Sequence, residues 1–124
     1  MAPDLLIVDD SLAIRKILQR TLRQAGFSLG NVYEAGDGKE ALEVLRSHNV
    51  QLILTDVNMP VMDGLQFLGE VKNNSATKDV PVLVVSTEGG QSKVIEAVRL
   101  CAAGYLRKPF TADQIKERLE KYFA

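Results

Sequence analysis

Leu5-Leu6-Ile7-Val8-Asp9-Asp10-Ser11 is the stretch that decides the fold. Four apolar residues in a row are too short for a buried helix, and a run without alternation marks a strand covered on both faces. Two acids and a serine end the run. From Ser11 to Ala25 the apolar residues Leu12, Ile14, Ile17, Leu18 and Leu22 then recur at helical spacing. The rest of the chain repeats this strand-then-helix unit. Strand candidates Val32–Ala35, Leu52–Thr55, Val82–Val85 and Tyr105–Arg107 are each followed by a helix candidate, at Gly38–Ser47, Gly64–Asn73, Gln91–Leu100 and Ala112–Phe123. Asp37 with Glu40, Asp63 with Gln66 and Thr111 with Gln114 read as capping boxes for three of these helices. Gly89-Gly90 leaves the start of the fourth helix loosely defined.

Strict alternation predicts an α/β fold, a doubly wound five-stranded parallel sheet with helices on both faces. The strand compositions predict the order. The first, third and fourth strands are apolar throughout, as strands inside a sheet should be. Val32-Tyr33-Glu34-Ala35 and Tyr105-Leu106-Arg107 are mixed, as edge strands are. The flavodoxin-like order 2-1-3-4-5 satisfies both constraints.

A length of 124 residues fits one domain, 1–124, with one sizeable core. With 46% hydrophobic and 25% charged residues the composition is that of an ordinary globular protein, and a net charge of -1 offers no basic face for nucleic acid. The stretch from Met1-Ala2-Pro3-Asp4 onward has neither the basic nor the long apolar region of a secretory leader, so secretion is not expected, and no apolar run approaches the roughly 18 residues of a membrane span. A single cysteine, Cys101, fits a reducing cytoplasm and reads as a packed thiol among Leu100, Ala102 and Ala103. The one histidine, His48, follows the second helix and reads as its C-terminal cap or charge.

The strands of a parallel sheet all point one way, so the residues after each strand gather on one rim, where ligands bind near the reversal of strand order. Asp9 and Asp10 follow the first strand, Asp56 the third, Ser86 and Thr87 the fourth, and Lys108-Pro109 the fifth. Only the second strand, at the far edge, ends on Gly36-Asp37 without a chemically pointed residue. Each of these residues has a plain structural reading: Ser11 after two acids as a helix cap, Asp56 and Met59–Gly64 as turn material, Ser86 as a strand end, Lys108 as a solvated charge. Their coincidence on one rim points to a site. Carboxylates about 5 Å apart repel by roughly 3 kcal/mol per pair at an effective dielectric of about 20. A cation, protonation or a salt bridge to Lys108 would offset that. The all-oxygen donor set favours a hard ion, and the few carboxylates suit magnesium better than a calcium cage.

These residues together resemble the receiver domain of two-component response regulators, in its single-domain CheY-like form. The resemblance rests on Asp9-Asp10, Leu54-Thr55-Asp56-Val57-Asn58-Met59-Pro60, Asp63-Gly64, Ser86, and Gly104-Tyr105 with Lys108-Pro109-Phe110, and it covers essentially the whole chain. It implies that Asp56 accepts a phosphoryl group from a histidine kinase. It implies Mg2+ held by Asp10 and Asp56, with Asp9 assisting and the Asn58 backbone carbonyl as a further ligand. Lys108 would contact the phosphoryl group, its bond to Pro109 cis. Ser86 and Tyr105 would form the switch, with Asn58, Thr87 and Glu88 tuning dephosphorylation. The output protein would bind the face made by the fourth helix, fifth strand and fifth helix, near Arg99, Tyr105 and Lys116. Two alternatives share parts of this chemistry. A haloacid dehalogenase-like phosphohydrolase also uses an aspartyl phosphate and magnesium, but its second aspartate stands two residues after the first, whereas here Asp9 and Asp10 are adjacent and no cap domain is inserted. A flavin mononucleotide carrier needs a hydroxyl- and amide-rich phosphate loop where this chain has two acids. Gly38-Lys39-Glu40 does not make a phosphate-binding loop either.

Overall fold

A strand that is apolar on both faces is stable only when helices cover both, and the interior strands meet that condition. In a computed structural model that describes residues 2–86, 95–97, 99–100, 102–108 and 110–122, β1 (Leu5–Val8), β3 (Leu52–Thr55) and β4 (Val82–Ser86) are buried at every position. β2 (Val32–Ala35) and β5 (Gly104–Arg107) are partly exposed. All pairings are parallel, in the order β2-β1-β3-β4-β5, as the strand compositions require.

The period of two along each strand splits the core into two layers. Leu5, Ile7, Leu52, Leu54, Leu83, Val85 and Leu106 pack against Leu18 and Leu22 of α1 (Leu12–Gln24) and Ile115 and Leu119 of α5 (Ala112–Leu119). Leu6, Val8, Ile53, Val82 and Val84 face the opposite way, onto Ala41 of α2 (Gly38–Ser47), Leu65, Leu68 and Val71 of α3 (Gly64–Asn73), and Ala97. Ala97 belongs to a fourth helix, α4, of which residues 95–97 and 99 are described as helical. Tyr105 packs on this second layer.

Several element boundaries move by one residue from those the sequence predicts, and the last helix ends four residues before the expected Phe123. Ser11 and Ala25 are the caps of α1 rather than part of it. Ser86 joins β4 because the ladder pairs it with Arg107, and β5 starts at Gly104 because that residue pairs with Leu83. The last helix ends at Leu119 and continues as a 3-10 turn, Glu120–Tyr122. Two of the three expected capping boxes are reciprocal, at Asp63 with Gln66 and at Thr111 with Gln114. The third is half formed: the Glu40 backbone N–H donates to Asp37 at 2.8 Å, but the Glu40 carboxylate accepts from Gly36 instead of the Asp37 backbone. His48 caps α2, with its ring stacked on Tyr33 at 4.2 Å. Cys101 and the first residues of the expected fourth helix lie outside the described residues.

Candidate functional site

Strands β1 and β3 are parallel neighbours in register, Val8 beside Thr55, so the residues that follow them emerge side by side. The Asp56 N–H donates to the Val8 carbonyl at 2.9 Å, and the Asp9 N–H to the Ala35 carbonyl at 3.0 Å. These bonds extend the ladder one step beyond the strands and hold both acids at the rim. One carboxylate oxygen from each of Asp9, Asp10 and Asp56 lies within 4.8 Å of the other two.

The three acids occupy different surroundings. Asp9 is buried, with its carboxylate accepting from the Ser11 N–H at 2.9 Å and from Lys108 Nζ at 2.9 Å. Asp10 is exposed. Asp56 is half-buried: its Oδ1 accepts from the Val57 N–H at 2.8 Å, and Lys108 Nζ stands 3.9 Å away. Burial pushes the Asp56 carboxyl above its ordinary value. Lys108 and the Val57 N–H pull against that rise, and the neighbouring charges of Asp9 and Asp10 add to it.

Lys108 comes from the far side of the sheet. Its N–H donates to the Ser86 carbonyl at 2.8 Å, which prolongs β5 alongside β4 and turns the ammonium back over the sheet end. Ser86 is fully buried at the end of β4. On the β4–β5 pair Val84 stands opposite Tyr105, so Ser86 lies two residues further along the same face as Tyr105. Asn58, two residues beyond Asp56, is exposed. Thr87, Glu88 and Pro109 lie outside the described residues.

The loop after β3 is held close to the phosphoacceptor candidate. The Gly64 N–H donates to the Val57 carbonyl at 2.8 Å, and a Cβ on Gly64 would overlap the Asp56 backbone carbonyl. Only glycine allows that approach. Val61 carries a φ of 67°, unusual for a β-branched residue, and the Met62 N–H closes a tight turn onto the Pro60 carbonyl at 2.7 Å. The Met62 carbonyl in turn accepts from the Gly38 N–H at the start of α2.

One residue that the strand ends do not point to is Arg15. Its Nη1 donates to the Asp9 carbonyl at 2.5 Å and its Nε to Glu34 at 2.9 Å. The signal in the sequence is slight: Arg15 stands four residues after the cap Ser11, one turn up α1, where a long side chain reaches back over the turn before it.

The donor set fits a small hard cation. All its atoms are carboxylate oxygens, and three negative charges against the Lys108 ammonium leave, among the described residues, a local excess of negative charge that a divalent ion would balance. Lys108 Nζ lies 2.9 Å from Asp9 Oδ2 and 3.9 Å from Asp56 Oδ1, against two of the three carboxylates.

Comparison with known proteins gives a consistent answer. The model of the response regulator receiver domain matches residues 5–120. The chemotaxis protein CheY of Pseudomonas aeruginosa is 43% identical over 119 residues, covering 96% of this chain and 94% of that protein. CheY1 of Helicobacter pylori is 40% identical over 94% of this chain and 93% of its own length. Among solved structures, the chemotaxis response regulator CheY4 of Vibrio cholerae superposes with a TM-score of 0.85 at 36% identity, covering 98% of this chain and 99% of that one. A putative response regulator from Chloroflexus aurantiacus gives a TM-score of 0.88 at 30% identity, with 99% and 98% covered. CheY and flavodoxin are the reference cases of the strand order found here.

Proposed function

The chain belongs to the response regulator receiver domain family, whose business is phosphoacceptor signalling, and from that premise we propose the residue roles by which its rim works. Asp56 is the phosphoacceptor. The observation that carries this is the convergence of Asp9, Asp10 and Asp56 within 4.8 Å, with Lys108 against two of them.

An Asp56 carboxylate oxygen attacks the phosphorus of a phosphohistidine on a histidine kinase. The P–N bond breaks, the imidazole leaves, and Asp56 carries the acyl phosphate. Burial of Asp56 strips water from the nucleophile, while the Val57 N–H holds one of its oxygens and so orients the other. Lys108 has three donors, enough to keep Asp9 and reach an incoming phosphoryl oxygen as well. Asp9, Asp10, Asp56 and the Asn58 carbonyl would hold Mg2+, which supplies neutralising charge to the transferring phosphoryl oxygens. Hydrolysis at the same residue resets the switch, and the family resemblance assigns the tuning of its rate to Asn58, Thr87 and Glu88. No helix among the described residues is long and apolar enough to cross a membrane. We place the protein in the cytoplasm with its kinase, on the single cysteine and the family resemblance.

The output is a change of face. A phosphoryl group on Asp56 adds acceptor oxygens that the Ser86 hydroxyl can turn toward. Ser86 and Tyr105 share one side of the sheet, so repacking at the first reaches the second through Val84. Tyr105 then presents a different surface, together with exposed Arg99 and Lys116, to a downstream protein. No observation favours the phosphohydrolase or flavin readings over this one.

The test is direct. Acetyl phosphate with Mg2+ should add one phosphoryl group, mapped to Asp56 by mass spectrometry, and Asp56→Asn should abolish it. Labelling that survives in the variant, or maps elsewhere, refutes the assignment.

A further inference from the structure

We propose that Arg15 is a positioning residue for the acidic site, acting on the peptide between Asp9 and Asp10 and not on either carboxylate; the proposal rests on the Mg2+ reading of that site. Asp9 is fixed at its N–H by Ala35 and at its carboxylate by Ser11 and Lys108. Arg15 supplies the remaining tie, to the Asp9 carbonyl. That carbonyl belongs to the same planar unit as the Asp10 N–H. Pinning it fixes the plane from which the Asp10 side chain departs. Asp10 is exposed, and no hydrogen bond among the described residues restrains its carboxylate, so the peptide plane is what keeps it aimed at Asp9 and Asp56.

Arg15 is itself held. Its side chain is 16% exposed, and Glu34 accepts from it at 2.9 Å on one carboxylate oxygen. Lys16, 56% exposed, takes the other oxygen at 2.7 Å. Burial works to raise the Glu34 carboxyl, and the Lys16 and Arg15 contacts override it and hold the group below its ordinary value, ionised and able to anchor both cations. One guanidinium fork spans the gap between β2 and the loop after β1, with Nε on Glu34 and Nη1 on Asp9. An ammonium offers no such rigid fork. The far-edge strand, which brings no residue of its own to the rim, thereby braces the rim through Glu34.

The sign of the effect separates this role from simple electrostatics. Removing a cation near a cluster of acids should tighten Mg2+ binding if charge is all that matters. Loss of positioning should weaken it. Titration of the purified chain with MgCl2 by calorimetry, beside melting curves without metal, reads both. We expect Arg15→Ala to weaken Mg2+ binding about tenfold, the scale seen when a group that orients metal ligands is removed. Arg15→Lys keeps the charge and should recover only part of that loss. Glu34→Gln should weaken binding by a few-fold, with no further loss when added to Arg15→Ala. Lys16→Ala, with the same change of charge beside the same Glu34, should leave affinity unchanged or slightly tighter. At saturating Mg2+ the maximal rate of labelling by acetyl phosphate should return in Arg15→Ala, since only the Mg2+ dependence moves. Unchanged or tighter Mg2+ binding in Arg15→Ala, with a lower melting temperature, overturns the proposal and leaves Arg15 a structural brace. If Arg15→Ala does not fold, Arg15→Lys and Glu34→Gln carry the same test. Failure of the unsubstituted chain to bind Mg2+ at all would instead refute the reading of the site.

Discussion

Replacing Asp56 by Asn should make the metal-free protein more stable at neutral pH, although Asp56 is the proposed phosphoacceptor. Asp9 and Asp10 each place an oxygen within 4.8 Å of Asp56. Charges at that separation repel by about 3.5 kcal/mol per pair at an effective dielectric of about 20. Lys108, at 3.9 Å, offsets roughly 4 kcal/mol of the two repulsions. About 3 kcal/mol remains against the ionised carboxylate, and burial adds to it. Asp10 is exposed and salt screens its share, so we expect a net gain of about 1–2 kcal/mol for Asp56→Asn. For a chain of this size each kcal/mol moves the midpoint by roughly 3–6 °C. The pH dependence follows from the direction of the shift. The folded Asp56 carboxyl titrates above its unfolded value, so the folded state binds more protons across that window and the stability of the native protein falls as pH rises through it. The Asn variant lacks this slope. The gap between the two should be near zero below about pH 3.5, open as pH climbs past the ordinary aspartate value of about 3.9, and be full by pH 7. Urea denaturation in EDTA across that range measures it. Millimolar MgCl2 should then reverse the order, because only the native site has its full set of carboxylates to bind the ion. A variant less stable at pH 7 in EDTA, or a gap that does not change with pH, would refute the charge accounting.

Three further perturbations read other parts of the site. Gly64→Ala drives a methyl into the Asp56 carbonyl; it should cost about 3 kcal/mol or more by denaturation and slow acetyl phosphate labelling, since the backbone of Asp56, the proposed phosphoacceptor, must yield. Val61→Asn should stabilise the protein by about 1 kcal/mol, because asparagine tolerates the φ of 67° that a β-branched residue resists, and an unchanged or lower midpoint refutes the strain. Ser86→Ala should leave Asp56 labelling largely intact while confining the amide shifts induced by beryllofluoride to the rim. In the unsubstituted protein those shifts should reach Arg99 and Tyr105, and their absence there would remove the relay.

The fold was legible because its signals are local. Unbroken apolarity in Leu5–Val8, Leu52–Thr55 and Val82–Val85 against the mixed Val32–Ala35 and Tyr105–Arg107 was enough to order the strands, since burial on two faces leaves a mark in each strand alone. The rim was legible for a related reason: parallel strands carry their C-terminal residues to one side whatever the details of packing. What the sequence hid was pairing. Glu40 stands at the capping-box position yet turns to Gly36, a choice made by the loop before it. Arg15 is one of several cations along α1, and its tie to Asp9 exists only once α1 lies over the sheet beside Glu34.

The same limit divides the two adjacent acids. In sequence Asp9 and Asp10 are interchangeable, and one unit of charge apiece is all that can be assigned. In the fold both carboxylates reach the same cluster with Asp56, but their surroundings part. Asp9 turns inward to the ammonium of Lys108 and the Ser11 N–H, where its charge is satisfied. Asp10 is exposed, and Asp56 is half-buried with Lys108 at the longer distance of 3.9 Å. The site is therefore uneven: Lys108 lies 2.9 Å from Asp9 and 3.9 Å from Asp56, and three carboxylates against that ammonium leave an excess of two negative charges. Those two negative charges are what a divalent ion would match, and Lys108, engaged with Asp9, already stands 3.9 Å from Asp56 Oδ1, the oxygen that also accepts from the Val57 N–H. An arrangement that stabilised all three acids equally would melt higher in the absence of metal and would have less to gain from either the ion or the phosphoryl group.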